Sequence, residues 1–240
     1  MIYVHFLDEN DRMCLVDDDD IEIKPITSAG ILPFAVLKKK VFFLLGKESF
    51  EPTYGESDRW SDFSGKLNEG ETIERGASRE FYEETAGCIM TLNETFEKLS
   101  NGDYMLHSDL HPRHSCSFRT YLVLIPYKDY PAIFRRVKLF IQYPDVHGDT
   151  SVIEKSHVQW FTFEEVHDII FDCWKENRYK RKVKFRAKFS ENIRRIMNTI
   201  DLKQHCIDAY AASYNNFITC RPRILSNTMI NDDDCVAYEK

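Results

Sequence analysis

No apolar run in this chain approaches the ~18 consecutive residues that a membrane-spanning helix needs. The first residues, Met1 to Glu9, read as neither a signal peptide nor a transit peptide. The C-x-x-C pair of metal and redox sites is missing. Seven cysteines (Cys14, Cys88, Cys116, Cys173, Cys206, Cys220 and Cys235) are scattered and odd in number. Without a secretory signal they read as reduced thiols of a cytosolic compartment, so a cytoplasmic protein with no membrane partner is expected. Internal repeats and low-complexity tracts are lacking too, which sets solenoids and linkers aside.

What is present suits a globular protein. The 240 residues fit one domain with an extension, or at most two small ones, and the apolar content is enough for a sizeable core. Net charge is −7, but its distribution is uneven. The window Lys175 to Arg195 carries a local balance of +8, leaving −15 elsewhere. Such a basic segment can hold an anionic substrate or RNA; it also suits a helix with a solvated face.

Along the chain, residues 1–26 hold a short hairpin and the run Asp17 to Asp20, which reads as a solvated turn. From Thr27 the pattern turns to strand: Ala29 to Val36, a Lys38–Lys40 turn, then Val41 to Gly46, continuously apolar as in a strand buried on both faces. Residues 47–59 read as a loop over a site. Ser117 to Pro126 is a further strand, and Pro131 to Tyr143 a helix with proline in its first turn. Thr162 and Glu165 have capping-box spacing. Val183 to Ile200 reads as an amphipathic helix, with Phe185, Phe189, Ile193, Ile196 and Ile200 at three- and four-residue steps. Residues 203–219 suit another helix, and Asn231 to Lys240 has little to anchor it.

The most informative run extends from Gly65 to Gly87. Glu80, Glu83 and Glu84 fall within an arc of roughly 100° on one helix side, where like charges repel. A hard divalent cation removes that conflict, because Mg²⁺ takes oxygen ligands and keeps waters and substrate phosphates as the rest. Ile73, Ala77 and Phe81 form an apolar stripe beside the acidic arc, so one side can pack on a sheet while the next holds metal. His107, His111, His114 and Cys116 are of zinc-ligand type, but their spacing matches no common closed zinc pattern, and they read as polar loop residues.

This run resembles the Nudix box, G-x5-E-x7-R-E-U-x-E-E-x-G-U with U apolar. Gly65, Glu71, Arg79, Glu80, Phe81, Glu83 and Glu84 fall in register. The late glycine position holds Ala86, with Gly87 one residue later, which puts the turn leaving the helix in question. Ser64 stands where the family usually has glycine or proline. Glu154, a few residues before Trp160 and a capped helix, matches a second family habit. The resemblance covers roughly residues 27–175. It implies an α/β/α sandwich with a mixed sheet, here carrying a helical C-terminal extension over 176–240.

The resemblance also implies a metal-dependent hydrolase of a phosphoanhydride, using Mg²⁺ or Mn²⁺. Glu80, Glu83 and Glu84 would be metal ligands with the Gly65 carbonyl. Glu71 and Arg79 would form an ion pair that fixes the helix, and Glu80, Glu83 or Glu154 could serve as general base. Trp60, Lys66, Lys180, Arg181 and Lys182 are the substrate-binding candidates, and Tyr54 or Tyr104 could stack on a base. The expected substrate is a nucleoside diphosphate linked to another group. Alternatives are removal of the cap from messenger RNA, with RNA held by the basic 175–195 segment, hydrolysis of inositol pyrophosphates, and a Nudix-fold binding module without turnover. Such modules usually lose box glutamates, and this chain keeps them.

Overall fold

The computed structural model describes residues 3–7, 13–17, 25–110, 117–141, 154–171 and 183–219. Its strands are β1 (Tyr3–Leu7), β2 (Met13–Asp17), β3 (Ile26–Leu37), β4 (Lys40–Glu48), β5 (Trp60–Ser61), β6 (Phe63–Lys66), β7 (Leu106–Leu110), β8 (Ser117–Leu124) and β9 (Lys155–Thr162). Its helices are α1 (Ile73–Glu84), α2 (Leu92–Ser100), α3 (Tyr130–Ile141), α4 (Phe163–Ile170), α5 (Ala187–Thr199) and α6 (Leu202–Thr219). The strands form one sheet in the order β1-β2-β7-β8-β3-β4-β5, with β6 added to β3 and β9 to β4. β8 runs parallel to β3 and β7 parallel to β2, so the sheet is mixed.

Period-two alternation builds the layers. Along β3, Leu32, Phe34 and Val36 face one side, where they meet Val166 of α4, Ile193 of α5 and Leu202 of α6. Ala29 and Ile31 face the other side, toward Ala77 and Phe81 of α1, Leu99 of α2 and Phe134 of α3. Helices therefore cover both faces, and the architecture is the expected α/β/α sandwich. The C-terminal helices share one core with β3, β4 and β8.

Local signals account for many boundaries. β3 and β4 are joined by a two-residue turn at Lys38 and Lys39, both at positive φ (50° and 63°), as a primed hairpin turn demands. The Thr162 hydroxyl accepts from the Glu165 N–H (3.2 Å), while the Glu165 carboxylate accepts from the Thr162 N–H (2.8 Å), completing the capping box that opens α4.

The arrangement around β3 positions the site. One edge of β3 has two partners in succession: Phe34–Leu37 pair with β4, and Ser28–Ile31 pair with β6. β4 meanwhile diverges to pair with β5 and β9. Asp62 is the single residue between β5 and β6, at the fork. Backbones cross so closely there that a Cβ at Gly30 would collide with the Ser64 Cβ and the Phe63 carbonyl.

Two expectations change. The helix expected from Val183 begins at Ala187, because Lys184–Arg186 runs extended beside β5. The Trp60 N–H donates to the Lys184 carbonyl and the Arg186 N–H to the Trp60 carbonyl, each at 2.9 Å. Backbone pairing with an open strand overrides the amphipathic period. His107, expected in a loop, is buried on β7 opposite Tyr121. His111, His114, Cys116, Asp18–Asp20 and residues 231–240 lie outside the described residues.

The turn leaving α1 is a Schellman motif. The Gly87 N–H donates to the Tyr82 carbonyl (2.9 Å) and the Ala86 N–H to the Glu83 carbonyl (3.1 Å). Ala86 occupies the left-handed position at φ 52°, where a Cβ is disfavoured. The late-glycine departure thus keeps the turn and strains one residue. Ala86→Gly should stabilise the protein by about 0.5–1 kcal/mol in urea unfolding, with an unchanged m-value; a loss of stability would contradict the strain.

Candidate functional site

α1 starts behind a Thr72 cap, whose hydroxyl accepts from the Arg75 N–H at 3.2 Å. Ala77 and Phe81 anchor it to the sheet with no exposed surface, Phe81 meeting Phe63 edge-on at 5.4 Å. This anchoring turns Glu80 and Glu83 toward the end of β6. The Glu80 carboxylate lies against Gly65 so closely that a Cβ there would fall on it.

Arg79 ties the loop to the helix. Its Nε and Nη2 donate to the two Glu71 oxygens, both at 3.0 Å, in a bidentate pair. Nη2 also reaches the Lys66 carbonyl (2.8 Å), and Nη1 reaches Glu80 (2.8 Å) and Glu83 (3.1 Å). Hydrogen bonding from Arg79 holds the Glu71 carboxyl below its usual range, and the Glu71 pair in turn raises the Arg79 pKa. Burial raises the Glu80 pKa; Arg79 opposes this, and the neighbouring Glu83 and Glu154 add to it. Glu154, far away in sequence, thus lies within electrostatic reach of the box.

A second cation sits deeper. Lys155 at the start of β9 has no exposed surface, and its ammonium donates to Glu48 (2.5 Å) and the Ser61 hydroxyl (3.1 Å) and pairs with Glu84 (3.0 Å). Gly46 makes room for it, since a Cβ there would meet the lysine stem at 3.0 Å. The other Glu84 oxygen accepts from the Ser64 N–H (2.9 Å). Burial pushes the Glu84 carboxyl up to about 8 against the pull of Lys155. Burial also opposes charge on Lys155, but Glu84 and Glu48 outweigh it and hold its pKa above the usual value. Arg186, just before α5, completes the cluster by donating to Glu48 (3.0 Å) and to the Tyr54 hydroxyl (2.8 Å).

Beside Gly65 the fork between β5 and β6 opens into a cleft of about 180 Å³. Asp62 lies at its floor, accepting from Ser64 (3.2 Å) and Thr120 (3.1 Å), with Phe118 and Phe189 as walls and Lys66 and Lys188 at the rim. Burial raises the Asp62 pKa, opposed chiefly by Lys155.

Seven box positions in register thus fold as strand, loop and helix, with the glycine against the first glutamate and the arginine locked to Glu71. The run matches the Nudix box in motif, and the fold is the α/β/α sandwich that this resemblance implies. No family model matches it. A mouse oxidized purine nucleoside triphosphate hydrolase is 29% identical over 125 residues, which cover 50% of this chain and 59% of that protein. The chain therefore spans less than two thirds of that relative's length. Among solved structures, a C. elegans Ap4A hydrolase superposes with a TM-score of 0.36 at 19% identity, covering 66% of this chain and 94% of its own. The Nudix hydrolase RenU of M. smegmatis has a TM-score of 0.40 at 11% identity, with 82% and 97% covered.

The site brings Gly65, Lys66, Glu71, Arg79, Glu80 and Glu83 together, with Glu154 nearby. Glu84 stands apart on the inner side, with each oxygen engaged. Trp60 packs in the core, edge-on to Phe161 at 5.0 Å, and Tyr104 packs on Tyr121. Lys180, Arg181 and Lys182 lie outside the described residues. Among the described residues no three His, Cys, Asp or Glu side chains are arranged to hold a metal ion. Arg79 and Lys155 stand between the carboxylates instead. Two carboxylates and a carbonyl nonetheless make a hard oxygen donor set, and Mg²⁺ commonly takes one or two carboxylates and fills its shell with water and phosphate. Glu80, Glu83 and Gly65 fit that requirement. Glu48, Asp62, Lys155 and Arg186 were not foreseen; the one available signal was the charge that ends the apolar run of β4.

Removing the Lys155 ammonium would leave Glu84 without its cation in a dry interior, beside a Glu48 whose remaining cation is Arg186. Lys155→Met should destabilise the fold by about 3–5 kcal/mol in denaturant unfolding, and adding Glu84→Gln should recover part of the loss. An unchanged midpoint in Lys155→Met would show that the lysine does not hold the pair. The Glu71 pKa lies below 4.5 in the folded chain, so its stabilisation is present above the unfolded value and is lost as pH falls through the folded one. Glu71→Gln should therefore lower stability at neutral pH, with a gap from the parent that closes in acid. A gap independent of pH would remove the ionised pair from the account.

Proposed function

We propose that this chain is a divalent-cation-dependent hydrolase of a phosphoanhydride in a nucleoside diphosphate linked to another group. The observation that carries the reading is the locked loop–helix unit, in which Arg79 braces Glu71, Glu80 and Glu83 beside Gly65 and an adjoining cleft. The likeness to the mouse oxidized purine nucleoside triphosphate hydrolase supports a nucleotide substrate.

Glu80, Glu83 and the Gly65 carbonyl would hold the cation. When bound it supplies charge neutralisation for the diphosphate, which carboxylates alone would repel. Lys66, at the rim of the cleft, offers a point charge to a phosphate oxygen. Arg79 is a positioning residue, since its donors are committed to Glu71, Glu80, Glu83 and the Lys66 carbonyl. Glu154 or Glu83 would accept the proton of the attacking water. Lys155 holds Glu84 against the Ser64 N–H and so fixes the strand end that carries Gly65.

The test is a Mg²⁺ and Mn²⁺ hydrolysis panel of nucleoside diphosphate sugars, ADP-ribose, dinucleoside polyphosphates, nucleoside triphosphates, capped RNA and inositol pyrophosphates. Glu83→Gln should lower kcat about 10²-fold or more while shifting Tm by less than about 2 °C, because Glu83 is 40% exposed and packs on little. Turnover that survives either EDTA or this substitution would refute the metal-site assignment. Cleavage of inositol pyrophosphates alone would replace the nucleotide substrate with the alternative.

A further inference from the structure

The cleft beside Gly65 has the makings of a recognition pocket, and part of it comes from beyond the box. Its floor and one wall come from β3, β5, β6 and β8, while Arg186, Lys188 and Phe189 enter from the segment that pairs with Trp60 and opens α5. At about 180 Å³ it is smaller than the roughly 300–1,000 Å³ of whole-ligand sites, so it accommodates a fragment of a substrate. The walls, Phe118 and Phe189, are aromatic. The floor is a carboxyl group, and each Asp62 oxygen holds one hydroxyl donor, from Ser64 or Thr120. A carboxylate has about four lone-pair sites, so acceptor capacity remains on both oxygens.

This pattern discriminates among fragments. A phosphate driven to the floor would meet the Asp62 carboxyl; of the cations lining the cleft, Arg186 is turned to Glu48 and the Tyr54 hydroxyl, and Lys188 lies 6.0 Å from the centre of the Phe118 ring. A flat heterocycle between aromatic walls satisfies the apolar part. Adjacent N–H donors on its edge satisfy the two oxygens, as the N1–H and N2–H₂ of guanine do and the edge of adenine does not.

We propose that this cleft is a base-recognition pocket selective for a guanine-type base, in which Asp62 reads the N–H edge and Lys188 meets the attached phosphate. The proposal rests on the nucleotide reading above and names the base for that same site. The base enters between Phe118 and Phe189, and its phosphates leave across Lys66 toward Glu80 and Glu83. The C-terminal segment is thereby a specificity element, because it supplies one wall and the outer cation.

Calorimetric titration in EDTA separates this from hydrolysis. Guanosine should bind the unaltered protein and the Glu83→Gln variant equally, and at least about tenfold more tightly than adenosine. Asp62→Asn should weaken guanosine and GMP alike, by about tenfold or more. Lys188→Glu should weaken GMP and leave guanosine unchanged. Equal affinity for guanosine and adenosine, or wild-type guanosine binding in Asp62→Asn, would overturn the assignment. Binding of pyrophosphate or inositol hexakisphosphate without guanosine would likewise overturn it and make the cleft an anion subsite. If Asp62→Asn fails to fold, the guanosine–adenosine comparison and Lys188→Glu still decide. Guanosine binding without turnover of any substrate would leave the pocket standing and remove the hydrolase reading.

Discussion

A lysine with no exposed surface holds together the end of the sheet on which everything else depends. Charged groups are rarely taken out of water without compensation, since desolvation costs several kcal/mol per ion. Here compensation is local and complete: Lys155 meets Glu48, Glu84 and Ser61, and Glu84 in turn receives the Ser64 N–H. Strand β9 supplies the cation, β4 and α1 supply the anions, and β6 is drawn in by its backbone. With β5 joined through Ser61, five elements are thereby tied at one point, where Ser64 adjoins Gly65, Ser61 adjoins Asp62 and Glu84 lies four residues from Glu80. Arg79 performs the matching task on the solvent side. The chain divides its crowded carboxylates between two cations, a buried ammonium for the inner glutamate and a guanidinium for the outer ones. That division leaves Glu80 and Glu83 as the accessible pair.

Much of this arrangement was legible in the sequence because its parts are local. The Gly65–Glu84 spacing, the Thr162 cap, the Lys38–Lys39 turn and the apolar stripe of α1 all act within a few residues, where period and propensity carry the information. The fold class followed from the family resemblance that the Gly65–Glu84 spacing carries. The inner cluster was not legible, because its members are joined only by strand pairing. Glu48 and Lys155 lie opposite each other in register across β4 and β9, more than a hundred residues apart in the chain. A lysine at a strand start normally reads as solvent-facing, and nothing nearby in sequence says otherwise. Asp62 is similar: its burial follows from the fork of β3's partners, a property of topology.

The start of α5 shows the same hierarchy in reverse. Phe185 and Phe189 stand four apart and satisfy a helical period, yet only Phe189 is helical. The open edge of β5 offers Trp60 backbone groups that would otherwise be unpaired in a region with little water, and the Lys184–Arg186 backbone satisfies them. Once that segment is extended, Phe185 still reaches the core, packing on Phe161 and Phe189 at 5.9 and 5.3 Å. Both conformations bury the ring, so hydrogen bonding at the strand edge decides between them.

That choice has a functional consequence. An α5 begun at Val183 would have carried Arg186 around the helix and away from Glu48. Extended pairing instead aims its guanidinium at Glu48 and Tyr54, and it delivers Lys188 and Phe189 to the cleft in the next turn. The same two backbone hydrogen bonds on Trp60 thus set the inner charge balance and the outer wall of the pocket. A change in this segment that disturbs one must disturb the other, which makes the Trp60–Arg186 junction the point where the folding of the segment and the shape of the cleft are coupled.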